Sequence, residues 1–157
     1  MRVHIGSDHA AFELKQYLAD ELGRAGYEVI DHGAVSYDPT DDYPDFVIPT
    51  AQAVAAEADE GSLGIVLGGS GNGEQIAANK VRGIRAILAT NVELAEVGRQ
   101  HNHANCLAMG GRFVGNDLGL QIARAFLATP VSDDPRHLRR LAKISAFETD
   151  GIWPAAR

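Results

Sequence analysis

Short apolar runs alternate along the chain with longer segments whose apolar residues recur every three or four positions. Short runs between glycine and polar residues are typical of buried strands, whereas the three-to-four spacing is typical of helices that pack on one side. Phe12, Leu14, Leu18 and Leu22 follow the helical spacing in the first long segment. The pattern predicts strands at residues 3–6, 27–30, 63–67, 84–89 and 106–110, and helices at 10–25, 43–58, 72–80, 92–101, 115–127 and 135–148.

Strands that alternate with helices predict a parallel sheet with helices on both of its faces. In such a sheet, ligands bind beyond the carboxyl ends of the strands. Polar residues follow three of the predicted strands: Asp8 and His9 the first, a glycine-rich segment the third, and Arg112 the fifth. We therefore expect the chemistry of the chain at this edge of the sheet.

Length and composition narrow the classes of protein to which the chain can belong. Its 157 residues suit a single domain, placed at 1–150, followed by a tail at 151–157. A hydrophobic content of 45% and a charged content of 22% are ordinary for a globular protein. The net charge of −7 argues against a nucleic-acid partner.

Cysteine usage and apolar runs bear on the location of the protein. The single cysteine excludes an intramolecular disulfide and suits a reducing compartment. No apolar run approaches the roughly 20 residues of a membrane span. Because a strand pattern starts at the first residues, we expect no signal peptide, and we expect a cytoplasmic location without a membrane partner.

The segment 68–74, GGSGNGE, combines four glycines with a serine and a carboxylate. It lies between a predicted strand and a predicted helix, where the first helical N–H groups lack intrahelical partners and can converge on an anion. Glu74 beside that anion site suits proton abstraction next to a carbonyl group. A tight turn that only packs a helix against a strand is the alternative. Nucleotide binding is not favoured, because the glycine spacing differs from the dinucleotide fingerprint and the P-loop lysine is missing.

Two segments that contain histidine provide further candidate site residues. At the end of the first strand, His9 could hold a phosphate group or move protons, and Asp8 could also cap the following helix. At the end of a predicted helix, His101 and Asn102 could bind sugar hydroxyl groups or shuttle a proton. An ordinary helix end, where the dipole favours a histidine, is the alternative. A zinc site is disfavoured because no second cluster has the spacing of metal ligands.

Arginines supply candidate phosphate ligands. Arg112 follows two glycines, and Arg136 and Arg140 are four residues apart on one face of the last predicted helix. Two guanidinium groups on one face suit a phosphate dianion, although a solvated basic face is the commoner reason for such a run. The chain thus combines backbone N–H groups that can bind an anion with a carboxylate, histidines and arginines, and it has no cofactor motif. This combination indicates an isomerase of a small phosphorylated sugar.

Taken in order, these motifs resemble the ribose/galactose isomerase family, and within it ribose-5-phosphate isomerase type B. The resemblance runs from about Met1 to Glu148, and the joint order of the motifs makes it specific. The motifs are Gly6-Ser7-Asp8-His9-Ala10, Glu13-Leu14-Lys15, Asp42-Tyr43-Pro44, Gly69-Ser70-Gly71-Asn72-Gly73, Ala77-Ala78-Asn79-Lys80, His101-Asn102, Gly110-Gly111-Arg112, Arg136-His137 and Arg139-Arg140. Ala11 replaces a glycine of many relatives, and we expect little effect of this difference.

The family has two forms that differ in the catalytic base. One form has a cysteine just before the glycine-rich loop, where this chain has Gly68. The other has a glutamate directly after the loop, where this chain has Glu74. The resemblance therefore implies the glutamate form, and Cys106 does not match the catalytic position of the cysteine form.

The resemblance also implies a Rossmann-like three-layer α/β/α sandwich with a five-stranded parallel sheet. It implies a homodimer or tetramer with active sites shared between subunits, and conversion of D-ribose 5-phosphate to D-ribulose 5-phosphate through an enediolate, without a metal or another cofactor. His101, helped by Asp8, would open the sugar ring, and Glu74 would move a proton between C2 and C1. Ser70 and the loop N–H groups would stabilise the enediolate. The residues that would bind the substrate are His9, Tyr43, Gly69, Gly71, Asn72, Gly73, Asn102, Arg112, Arg136 and Arg140.

Two alternatives remain open on the sequence alone. A tetrulose 4-phosphate or a six-carbon sugar phosphate would undergo the same chemistry, because the sequence does not show the depth of the pocket. A non-catalytic phosphosugar-binding protein is the alternative of a different class. Glu74 argues against it, since a binding protein does not need a carboxylate beside an oxyanion site. His103 and the tail have no assigned role.

Overall fold

The computed structural model describes residues 1–151. Within this range the strands are β1 Arg2–Ser7, β2 Glu28–Asp31, β3 Leu63–Gly68, β4 Ala86–Leu88 and β5 Cys106–Gly110. The α-helices are α1 Phe12–Arg24, α2 Pro44–Ala56, α3 Asn72–Ala78, α4 Val92–Asn102, α5 Asn116–Ala128 and α6 Pro135–Asp150. Short 3-10 turns at His9–Ala11 and Ala58–Glu60 precede α1 and follow α2.

The strands form one parallel sheet in the order β2-β1-β3-β5-β4. Two apolar clusters cover its faces, one beneath α1 and α5 and the other beneath α2 and α3. Successive residues of β3 divide between them, because neighbouring side chains of a strand point to opposite faces: Ile65 packs in the first cluster and Val66 in the second. The predicted α/β fold, a five-stranded parallel sheet with helices on both sides, is confirmed.

The predicted bounds of β5 are confirmed, and other elements differ from their predictions by a few residues. The helix predicted from residue 10 begins as a 3-10 turn, because the carboxylate of Asp8 accepts the N–H of Ala10 at 2.9 Å. This bond confirms the capping role predicted for Asp8. The strand predicted at 84–89 starts only at Ala86, because the side chain of Asn105 accepts the N–H of Arg85 at 2.7 Å.

The last helix runs slightly beyond its predicted end, to Asp150. Gly151 follows it, and the rest of the tail predicted at 151–157 lies outside the described residues. Among the described helices, none combines the length and the apolar character that crossing a bilayer requires.

Candidate active site

Three strand ends meet at the carboxyl edge of the sheet. β3 lies between β1 and β5, and its last residue, Gly68, is in register with Gly110 at the end of β5. The pairing continues past the strands, since Gly111 donates its N–H to the carbonyl of Gly68 at 2.8 Å. The segments that follow β1, β3 and β5 therefore lie side by side, as the sequence predicts.

Glu74 lies in the first turn of α3, and the residue is only 4% exposed. Its Oε2 has no hydrogen-bond partner in residues 1–151. The carboxyl group lies against Gly68, where an added Cβ would be 1.8 Å from Oε1. Burial raises the pKa of Glu74, and the nearby charge of Asp8 raises it further. Backbone hydrogen bonds from Glu74 itself and from Gly71 oppose this rise. A desolvated carboxylate with an unpaired oxygen is a stronger base than an ordinary one, as proton abstraction requires.

The glycines of the loop let the chain pass very close to β5. A Cβ on Gly71, which has a φ of +82°, would be 2.9 Å from the backbone of Met109, and one on Gly110 would be 2.5 Å from the backbone of Ser70. The N–H groups of Gly69 and Ser70 donate no hydrogen bond within the described part of the chain. Unpaired donors beside a buried carboxylate are the arrangement that an oxyanion site needs.

Side chains around the loop complete this part of the site. Ser70 Oγ accepts hydrogen bonds from the backbone and the side-chain amide of Asn72, each at 3.3 Å. The ring of Tyr43, directly before α2, packs over Gly73, where an added Cβ would be 2.7 Å from Cζ. The structure therefore brings these predicted substrate contacts together with the predicted base.

His9 and Arg112 form a cationic pair next to the loop. Nδ1 of His9 lies 2.6 Å from Oδ1 of Asp41, and this hydrogen bond raises the pKa of His9, whereas the charge of Arg112 lowers it. The guanidinium group of Arg112 lies over Gly69, where an added Cβ would be 3.4 Å from Cζ. A cavity of about 440 Å³ opens beside His9, with Tyr37 also in its wall. The imidazole of His9 in the wall of this cavity and the guanidinium group of Arg112 over the loop are basic groups that suit a phosphate group.

The remaining predicted residues lie at the amino edge of the sheet. His101, near the end of α4, stacks on His137 of α6 with ring centroids 4.2 Å apart. The carbonyl of Asn102 accepts from Nε of Arg85, directly before β4, at 3.0 Å. The length of β5 separates this edge from the glycine loop by about 13 Å, at about 3.3 Å per residue.

Helix α6 brings both predicted arginines to this second group. Burial lowers the pKa of His137, and the charges of His101, Arg136 and Arg140 lower it further. Arg136 also forms an ion pair with Asp134 at 3.0 Å. The site residues thus form two groups, which one chain does not bring together. The carboxyl-edge cluster consists of Asp8, His9, Tyr43, residues 69–74 and Arg112, and the amino-edge cluster consists of His101, Asn102, Arg136, His137 and Arg140.

Sequence reasoning gave no site role to two residues that contact members of these clusters. Asp41 holds His9, but it lies among several aspartates of a polar loop, and no local pattern distinguishes it. His137 stacks on His101, and its position beside Arg136 is the signal that could have pointed to it. Both residues act on a predicted residue that is distant in the sequence.

Buried polar atoms without partners are concentrated near the carboxyl edge. In residues 1–151 these atoms are Ser7 Oγ, Asp41 Oδ2, Glu74 Oε2 and Arg99 Nε, and the first three belong to or adjoin the carboxyl-edge cluster. Such atoms are rare in folded proteins and call for an explanation, for which a catalytic role is one candidate. Their location agrees with the assignment of this edge as the candidate site.

One group of possible metal ligands overlaps the same cluster. Within the described residues, Asp8, His9 and Asp41 offer three ligand atoms that lie within 4.8 Å of one another. Oδ1 of Asp41 is already bonded to both the backbone nitrogen and Nδ1 of His9. A hydrogen-bonded role therefore accounts for this group, and independence from metals stays a prediction.

Comparisons with known proteins agree on one family. The model of the ribose/galactose isomerase family matches residues 3–144. Ribose-5-phosphate isomerase B of Mycolicibacterium paratuberculosis is 53% identical over 148 residues, which cover 94% of this chain and 92% of that protein. The protein of the same name from Mycobacterium tuberculosis is 51% identical over 148 residues, which cover 94% of this chain and 90% of that protein.

Solved structures give the same result. Ribose-5-phosphate isomerase B from Clostridium thermocellum superposes with a TM-score of 0.89 at 44% identity, over 97% of this chain and all (100%) of that chain. The enzyme of this name from Mycoplasma genitalium, solved with bound ribulose-5-phosphate, superposes with a TM-score of 0.90 at 36% identity. That match covers 95% of this chain and 97% of the other.

Proposed function

The chain belongs to the ribose/galactose isomerase family, and we propose that it interconverts D-ribose 5-phosphate and D-ribulose 5-phosphate through an enediolate. The names of its relatives support this substrate, as does the ribulose-5-phosphate bound in one of them. The observation that carries the chemistry is the buried carboxyl group of Glu74, whose Oε2 has no partner among the described residues, beside the unpaired N–H groups of Gly69 and Ser70.

Glu74 is the proposed base for the transfer between carbon atoms. It would remove the proton from C2 of the open-chain aldose, which gives the enediolate, and return it to C1 while the hydroxyl proton passes from O2 to O1 and C2 becomes the carbonyl carbon. During this step negative charge develops on O1, and the N–H groups of Gly69 and Ser70 are available to stabilise it. A preorganised donor of this kind contributes roughly 3 kcal/mol to the stability of a transition state.

A second copy of the chain would supply the remaining groups. We propose a homodimer in which His101 of one copy, helped by Asp8 of the other, opens the sugar ring. In the same assembly Arg136 and Arg140 would join His9 and Arg112 around the phosphate. This arrangement resolves the separation of the two clusters in one chain, since each site would combine the carboxyl-edge cluster of one copy with the amino-edge cluster of the other.

Exposed apolar residues on and near α6 support the proposed homodimer. Leu138 and Ile144 of this helix are 43% and 52% exposed. A groove of about 450 Å³ lies between α6 and the edge strand β4. Exposed apolar side chains and an edge strand are features that a partner commonly covers. A cytoplasmic location stays a prediction from the sequence.

Mixing two inactive variants tests the shared site. We expect Glu74→Gln and His101→Ala each to lose turnover as pure proteins. If the site is shared, random mixing of subunits restores roughly a quarter of the wild-type activity, because half of the dimers are mixed and each has one intact site of two. No recovery after verified subunit exchange would contradict the shared site.

The substrate is tested by turnover of four-, five- and six-carbon sugar phosphates. We expect the highest kcat/KM with ribose 5-phosphate. A preference for a four- or six-carbon substrate would keep the chemistry and change the substrate. Binding of all these compounds without turnover of any would support a phosphosugar-binding protein instead.

A further inference from the structure

The polar loop between β2 and α2 places one buried carboxylate directly against His9. Oδ1 of Asp41 accepts the backbone N–H of His9 at 3.0 Å and lies 2.6 Å from its Nδ1. The side chain of Asp41 is only 10% exposed, and its Oδ2 has no hydrogen-bond partner in residues 1–151. The contact therefore fixes both the backbone and the ring of His9, although 32 positions separate the two residues in the sequence.

This contact determines what the other ring nitrogen of His9 can do. An ionised carboxylate only accepts hydrogen bonds, so Nδ1 of His9 must be the donor. A neutral ring with its proton on Nδ1 has a lone pair on Nε2, which repels a phosphate oxygen. Only the doubly protonated ring offers an N–H group at Nε2. His9 can thus donate to a phosphate only in its cationic form.

The charges that face His9 come from three segments of the chain. The hydrogen bond to Asp41 is the largest influence and raises the pKa of His9, the charge of Asp8 also raises it, and partial burial and Arg112 lower it. Asp38 belongs to the same loop as Asp41, and its charge interacts with that of His9, but its carboxylate is hydrogen-bonded to Thr40, at 2.7 Å from the hydroxyl, and not to His9. Because the pKa of His9 is raised, its positive charge persists above pH 6.5 and is lost as the pH rises through the raised value.

We infer that Asp41 is a positioning residue for the phosphate group of the substrate. It holds the ring of His9 through Nδ1, so that Nε2 donates to a phosphate oxygen beside Arg112. This inference deepens the proposed function and rests on it for the identity of the anion. The sugar-phosphate dianion, whose second pKa is about 6, then meets Arg112 and, below the raised pKa of His9, a second cationic donor.

Kinetics of Asp41→Asn over a range of pH test this role. We expect KM for ribose 5-phosphate to rise about tenfold at pH 8, with kcat within about twofold of wild type, because His9 loses the carboxylate that favours its charged form and thereby raises its pKa. At pH 6 the difference in KM should shrink to about twofold, since a lower pH increases the protonated fraction of His9 in both proteins. Asp38→Asn is the matched control, with the same change of charge in the same loop, and should raise KM far less, because Asp38 has only a charge interaction with His9 and no hydrogen bond to it.

A double variant separates this role from loop stability. In a His9→Gln background, Asp41→Asn should cause no further rise in KM. A rise as large as in the wild-type background would contradict the inference, because Asp41 would then act independently of His9. A KM defect of equal size at pH 6 and pH 8 would contradict it as well.

Titration of the His9 ring nitrogens by NMR gives a readout that does not need turnover. We expect Asp41→Asn to lower the pKa of His9 and to weaken the binding of inorganic phosphate at pH 8, both by more than Asp38→Asn does. An unchanged His9 titration in Asp41→Asn overturns the inference. Absence of turnover with any sugar phosphate would instead overturn the proposed function, while the titration would still report on the Asp41–His9 pair.

Discussion

Two glutamates at opposite edges of the sheet differ in what surrounds their carboxyl groups. At the amino edge, Glu57 is paired with Arg2 at 2.7 Å, accepts from Ser62 at 2.6 Å and lies 3.0 Å from Nε2 of His4. These hydrogen bonds, from Ser62 and His4 above all, lower its pKa to about 2. At the carboxyl edge, Glu74 is deeply buried, its Oε2 has no partner among the described residues, and its pKa is raised.

The comparison shows that the donors around a carboxyl group decide its role. Glu57 is stabilised as an anion and ties the ends of β1 and α2 together, so that its proton affinity is too low for a base at neutral pH. Glu74 keeps a high proton affinity because burial withholds water and the fold supplies few donors. Such an arrangement costs stability, which is the usual cost of a reactive site.

Glu74→Gln removes the carboxyl group with the raised pKa, and we expect it to have the largest effect on turnover. Glutamine has nearly the same size but cannot take up the proton, so kcat should fall about 10³-fold. The melting temperature should not fall, because burial already disfavours the charged carboxylate. Steady-state kinetics, calorimetric titration with ribose 5-phosphate and thermal unfolding measure the three properties. Turnover near the wild-type rate would exclude Glu74 as the base.

Gly68→Ala should move the Glu74 carboxyl group without removing it. The new Cβ would overlap Oε1 at 1.8 Å, so the carboxyl group must leave its position. We expect kcat to fall about 10²-fold, since a small displacement of a catalytic group has an effect of this size. Gly23→Ala in α1 is the matched control, because a Cβ there meets no atom within 4 Å. Equal activity of the two variants would show that Gly68 does not position the base.

Glu57→Gln should have the opposite profile to Glu74→Gln. Removing the charge weakens the bonds to Arg2, Ser62 and buried His4, so we expect a melting temperature several degrees lower at pH 7 and kcat within about threefold of wild type. Thermal unfolding and steady-state kinetics measure the two effects. A large loss of turnover with normal stability would show that Glu57 acts in catalysis, and it would contradict the structural role that we assign to this glutamate.

The pH dependence of stability provides a second measurement on Glu57→Gln. Because the pKa of Glu57 lies at about 2 instead of the usual 4.5, its contribution is fully present above pH 4.5 and is lost as the pH falls towards 2. We expect the free energy of unfolding of the wild type to fall more steeply over this interval than that of the variant. Parallel curves would show that the hydrogen bonds of Glu57 do not contribute to stability.

Reagents that attack thiols or metals should have the smallest effect. Burial raises the pKa of Cys106 to about 12, so the thiolate that reacts with alkylating agents is scarce at neutral pH. We expect iodoacetamide and EDTA to leave the turnover of the native protein unchanged within about twofold. Inactivation by EDTA would reveal a required metal, and inactivation by iodoacetamide would indicate that Cys106 has a role.

The sequence predicts the sheet well because its signals are local. The apolar run at 106–110 and the glycines around it define β5 with its observed bounds. Glu74 could be placed beside the glycine loop because both lie in one strand-to-helix connection. The contact of Asp41 with His9 could not be predicted, since it depends on the path of a long polar loop. The separation of His101 from Glu74 follows from the parallel direction of the strands, because the helix before β5 ends at the amino edge and the loop after β3 lies at the carboxyl edge. The alternation of strands and helices could therefore have predicted it.

The close contact between Gly68 and Glu74 has a consequence for the proposed base and for the cysteine form that the resemblance implies. A cysteine at 68, the residue of the other form, would place its Cβ within 1.8 Å of Oε1 of Glu74. One active site therefore cannot hold both bases in working positions. A lineage that passes from one form to the other must change two positions that are six residues apart, and we expect each single step to produce a poorly active enzyme. The kcat of variants that carry either change alone would measure how much activity is lost at each single step.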